Sequence, residues 1–175
     1  MKSRKINILL AVSIGAIIAF SGCKKDDGAI SERVIINDVP AITTTIDATG
    51  SQFIAFSSMA AFSGKFKVEL YFPGTTAPSK VDIVVRKSNG TNVTNANVLL
   101  YKAGVTSLPA AYTVTAADIA TLFGVAIALG DNYDFAPDIY VGAKKYEAFP
   151  AIGTGTGTGV IAMPLFKEFA RFKAQ

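Results

Sequence analysis

The chain has 175 residues, 50% of them hydrophobic, with a formal charge of +4, a single cysteine, and neither histidine nor tryptophan. The missing histidine excludes Ser-His-Asp and Cys-His catalysis, and most zinc and iron sites with them. One thiol can form neither an internal disulfide nor a structural zinc site.

Met1 to Lys5 carries three positive charges and no acid, and Ile6 to Phe20 follows with only Asn7 and Ser13 polar. Small residues, Ser21 and Gly22, lead to Cys23. This is the charged, apolar and small-residue layout of a secretory signal. A membrane-spanning helix needs about 20 apolar residues, and Lys24-Lys25-Asp26-Asp27 arrives too soon for one. Phe20-Ser21-Gly22-Cys23 resembles the lipobox of bacterial lipoproteins, with Phe20 in place of the usual leucine. The resemblance implies that Cys23 is acylated and becomes the mature N-terminus, so that lipid chains hold the protein on a membrane. Lys24-Lys25-Asp26-Asp27-Gly28 is similar to the segment after the acylated cysteine in surface lipoproteins of Gram-negative glycan-degrading bacteria. That likeness implies display on the outer face of the outer membrane, although charged flexible tethers share this composition. Removing residues 1–22 takes away Lys2, Arg4 and Lys5 and lowers the charge to +1. No basic block is left to track a phosphate backbone, so nucleic acid is not an expected partner.

Residues 23–39 read as a lipidated tether and residues 40–149 as the folded module. Ala41 to Ile46 is rich in β-branched residues and reads as a first strand behind Pro40. Ser51 to Ser63 reads as a loop or an edge strand. Lys65 to Phe72 alternates Phe66, Val68, Leu70 and Phe72 with polar partners, the pattern of a half-buried strand, and Pro73-Gly74 turns the chain. Val81 to Lys87 predicts another strand, with Val81, Ile83 and Val85 inward and an Asn89-Gly90 turn behind it. Asn97 to Tyr101 is a third candidate, and Tyr112 to Val114 a short extended piece. Thr115-Ala-Ala-Asp118 resembles a capping box, and Ile119, Leu122 and Phe123 give the apolar stripe of one short helix that Gly124 ends. Tyr133 and Phe135 share a face, and Ile139 to Phe149 reads as a hairpin about Gly142-Ala143. Residues 150–175 hold the low-complexity run Gly153 to Gly159 and a C-terminal strand or helix, the strand being preferred.

Short strands separated by turn signals predict an all-β sandwich. Leu129-Gly-Asp-Asn-Tyr133-Asp-Phe135 is similar to the tyrosine-corner region of immunoglobulin-like and fibronectin type III domains. The resemblance implies an immunoglobulin-like antiparallel sandwich in which Tyr133 bonds back to the backbone at a corner. The expected architecture is therefore a signal peptide (1–22), a tether and one such sandwich with one short helix.

Chemistry is hard to place on these residues. Glu69 and Asp82 read as solvated outward positions beside Lys67 and Arg86, and paired-carboxylate hydrolysis needs two acids facing one cleft. The glycine–threonine run lacks the Gly-Lys-Ser/Thr of a phosphate loop. Asp131, Asp134 and Asp138 lack EF-hand spacing. No metal or cofactor is expected. Tyr71, Tyr140 and Tyr146 are outward rings, and Tyr140 and Tyr146 are the weak ligand-binding candidates because they flank one basic hairpin. The layout resembles accessory lipoproteins of starch-utilisation-type systems. That resemblance implies a non-catalytic binding module with an outer-membrane transporter complex or a glycan as partner. The alternative is a structural or adhesive surface protein that binds other proteins through a strand edge.

Overall fold

The computed structural model describes residues 39–89, 98–149 and 169–175. Residues 1–38, which hold the expected signal segment, Cys23 and all but the last residue of the expected tether, lie outside the described residues, as do Gly90, Asn97 and the glycine–threonine run.

Alternation builds the first sheet. Strand β2 (Ser63–Leu70) turns Phe66 and Val68 inward and leaves Lys65 and Lys67 half-buried. It pairs antiparallel with β1 (Ile42–Ile46) on one side and β5 (Ala110–Thr115) on the other, Phe66 lying opposite both Ile46 and Tyr112. Ser51 to Ser63 contains no full strand. Ile54 makes one parallel bridge to Ala174, and Phe56–Ala61 winds into a 3-10 helix.

The second sheet centres on two long strands, β3 (Lys80–Asn89) and β6 (Asp131–Val141), paired without a break from Lys80↔Tyr140 to Asn89↔Asp131. Strand β4 (Val98–Val105) lies outside β3. Two short strands share the far edge of β6: β7 (Lys144–Tyr146) opposite Ile139–Val141, and β8 (Ala170–Lys173) opposite Asn132–Phe135. The orders β1-β2-β5 and β4-β3-β6-β7 match the A-B-E and C′-C-F-G orders of an immunoglobulin-like sandwich, with the last strand split in two. The sandwich thus extends to the final residues and does not stop at residue 149.

Between the sheets, Phe66 packs at 5.0 Å from Phe135 and 5.2 Å from Tyr112, and Phe172 closes the end against Phe62 at 5.4 Å. Val81, Ile83 and Val85 are fully buried on the inner face of β3, as their spacing predicts. The capping box forms: the Thr115 hydroxyl accepts from the Asp118 N–H, and the Asp118 carboxylate accepts from the Thr115 N–H. Helix α1 (Ala116–Phe123) follows and ends at Gly124 in the left-handed conformation, φ 65°. Its Ile119 is buried, and its Phe123 ring lies 5.5 Å from Tyr133.

The outer face of the second sheet departs from expectation. Asp82 and Arg86 are buried there, together with Ser88, Asp134 and Asp138, where solvated positions are predicted. Ring and ion pairing explain this. Arg86 Cζ lies 4.1 Å from the Phe149 centroid, and Asp134 accepts from Arg86 Nη2 at 3.0 Å and from Arg171 at 2.6 and 2.9 Å. Asp82 and Asp138 face each other across the β3–β6 pair. Like charges so placed repel, and each has its own lysine: Lys80 at 3.4 Å from Asp82, Lys145 at 2.8 Å from Asp138.

Candidate ligand-binding groove

Cys23 lies outside the described residues. Tyr133 sits near the start of β6, fully buried, and its hydroxyl donates to Asp131 Oδ2 at 3.0 Å. The tyrosine-corner likeness implies a direct bond to backbone, and here a carboxylate stands in between. Asp131 in turn accepts from the Ala128 N–H at 2.8 Å, the Asn89 amide at 3.0 Å and the Lys87 ammonium at 3.0 Å. Burial would raise the Asp131 pKa, but these donors outweigh it and hold the carboxyl below the usual range. Burial, then the charge of Asp131, pushes the Tyr133 phenol well up. Tyr133 is therefore a structural tyrosine that stays protonated.

Tyr140 and Tyr146 are not brought together. Tyr146 lies opposite Ile139, and Tyr140 lies opposite Lys145. Directly opposed residues share a face and successive residues alternate, so the two rings occupy opposite faces of the hairpin. Each has an ammonium over it, Lys80 at 4.1 Å from the Tyr140 centroid and Lys144 at 4.8 Å from that of Tyr146. Tyr140 also bonds the Asp82 carboxylate, the main cause of its raised phenol pKa. At Asp82 burial acts upward first, and the Gly104 N–H, at 2.7 Å, with Tyr140 and Lys80 brings the pKa below normal.

A different pair of rings opens onto space. Where β4 and β5, the outermost described strands of their sheets, come together, Tyr101, Lys102, Tyr112, Thr113, Asp118, Thr121 and Leu122 line a groove of about 600 Å³. Tyr101 and Tyr112 stand edge to face, centroids 6.2 Å apart at 79°, with Phe66 and Phe135 behind them. The Tyr101 hydroxyl donates to the Thr113 carbonyl at 3.2 Å and so ties one sheet edge to the other. Burial raises the pKa of both phenols, and the Asp118 charge adds to the effect at Tyr101. Asp118 itself is held low by its bonds to the Thr115 hydroxyl and N–H, both of which end on Oδ2. Asp118 also lines the groove.

These groups offer two half-buried rings, an ammonium, hydroxyls and one carboxylate. Among the described residues the lining contains no second acid for a two-carboxylate hydrolysis. Among the described residues no cluster of three metal-ligating side chains occurs, and no helix is long and apolar enough to cross a membrane. The backbone edge of β5 is partly closed as well. Tyr101 occupies the Thr113 carbonyl and Asp118 the Thr115 N–H, so a partner strand would meet two sites already bonded.

The sequence pattern misses this groove. Tyr112 and Asp118 are each legible as strand and cap, yet Tyr101 belongs to another sheet, and no spacing rule announces that β4 and β5 meet at their edges. Comparison with protein-family models, curated proteins and solved structures finds no match.

Proposed function

We propose that this chain is a lipid-anchored, non-catalytic binding module displayed on the outer membrane, and that it holds its ligand in the Tyr101–Tyr112 groove. The groove carries the reading. It sets hydrogen-bonding groups around aromatic rings on a rigid sandwich, the usual make-up of a recognition site. The N-terminal layout and Cys23 support the anchor. A hydroxyl-rich ligand such as a glycan suits Asp118, Thr121, Lys102 and the phenols. A transporter complex as neighbour is part of the same proposal.

Affinity electrophoresis of the wild-type chain and of Lys102→Ala and Thr121→Ala variants in polysaccharide gels tests it. Both residues are exposed, so the fold tolerates their loss. Retardation by at least one glycan, weakened in the variants, is expected. Free migration of the wild type through a broad panel sinks the glycan assignment.

A second reading, adhesion to another protein, is favoured by Phe53, Phe56 and Leu129, which are 42–63% exposed. All three flank the end of β8, because Ile54 bonds Lys173 and Gln175, Phe56 bonds Gln175 and Gly130 bonds Ala174. Crosslinking on intact cells through this end, with no partner recovered, counts against it.

A further inference from the structure

The chain enters the sandwich at a defined place. The Ala41 carbonyl accepts from the Tyr71 N–H at 2.9 Å, and Ile42 pairs with Leu70. Residue 39 onward therefore emerges beside the turn that joins β2 to β3. That turn presents Tyr71 at 39% and Phe72 at 57% exposure, their rings edge to face with centroids 4.7 Å apart. It is stapled by two bonds to the Phe72 carbonyl, from the Thr75 N–H and from the Thr75 hydroxyl at 2.9 Å. Ser79 then ties the neighbouring β6–β7 turn to the same end, donating to the Tyr140 carbonyl and accepting from the Gly142 N–H. Val141 is exposed there, with Lys144 beside it.

We propose that this end of the sandwich seats on the phospholipid surface, with Phe72 and Tyr71 entering the headgroup–acyl boundary. The proposal rests on acylation of Cys23. Aromatic side chains favour that boundary, where an apolar ring body and a polar rim are both accommodated. The sixteen residues from Cys23 to Asp38 bound the reach, since that many residues span at most about 55 Å. Tethering makes the contact intramolecular, at an effective concentration on the order of millimolar, so two partly exposed rings suffice without measurable affinity in the untethered state. The opposite end, with Leu129 and the C-terminus, would then face outward.

The chain has no tryptophan, so Phe72→Trp and Leu129→Trp each introduce a single fluorophore. Both variants, made as the full acylated chain and incorporated into phosphatidylcholine vesicles, are compared with and without brominated acyl chains. The Phe72→Trp signal is expected to shift to the blue and to fall by about twofold or more with bromine placed at the depth reached by interfacial side chains. The Leu129→Trp signal is expected to stay unchanged. Equal quenching of the two overturns the proposal. A blue shift at position 72 without bromine quenching also overturns it, and assigns the turn to a second copy or a protein partner. Failure of the protein to float with the vesicles overturns the anchor reading itself and this proposal with it, an outcome separate from flotation without quenching.

Discussion

Phe172 occupies the space in front of Gly64. A β-carbon on Gly64 would lie 2.8 Å from Phe172 Cε1 and 2.6 Å from Phe62 Cζ. Gly64 is the second residue of β2, where glycine normally weakens pairing, and its use here is to admit the ring of Phe172. Gly64→Ala is expected to lower stability by about 1–3 kcal/mol through overpacking. Urea unfolding followed by circular dichroism measures it, and an unchanged midpoint would show that the rings shift freely.

Thr44 faces the core, opposite Val68, fully buried, and its hydroxyl has no hydrogen-bond partner among the described residues. A buried hydroxyl without a partner carries its desolvation cost uncompensated. Thr44→Val is expected to raise stability by about 1 kcal/mol. A lower melting temperature than wild type would refute this.

Asp134 is completely buried between two guanidiniums, with Arg86 itself nearly so. Removing one partner of a buried pair strands the other, at a cost of about 3–5 kcal/mol. Asp134→Ala should therefore unfold at much lower urea, while Arg171→Ala should cost less, because the Arg171 side chain is 46% exposed. Equal effects of the two would contradict the ranking.

Asp131, Asp82 and Asp118 all have folded pKa values below the ordinary carboxylate value. A lowered folded pKa gives stability that is complete above the unfolded value of about 3.9 and is lost as pH falls through the folded one. The urea midpoint should therefore be flat from about pH 7 to 5 and decline below about pH 4. Asp131→Asn should lower the midpoint at pH 7 and make the acid decline shallower. A wild-type midpoint that rises on acidification would contradict the sign.

Much of the sandwich is legible before any coordinates. Phe66/Val68 alternation, the Thr115–Asp118 cap, the Gly124 stop and the Gly142-Ala143 turn are local signals, and each sits where its pattern puts it. Non-local events are not legible. The outer face of β3 reads as solvated because Asp82 and Arg86 are charged, and nothing in a linear pattern says that Phe149 and Asp134 come to meet them. Tyr140 and Tyr146 look like neighbours in the chain, yet the two-residue strand period sends them to opposite faces. Tyr101 and Tyr112 look unrelated and stand together, because two sheet edges converge.

Strand β8 brings Ala170 and Phe172 into the core, and Ala174 follows them at its bridge to Ile54. Without Phe172 the space before Gly64 is unfilled, and without β8 the edge of β6 loses its partner at Asn132–Phe135. The interior therefore closes only when residues 170–174 are seated. They act as a latch on the sandwich, and a chain cut ahead of them would be left open rather than merely shorter.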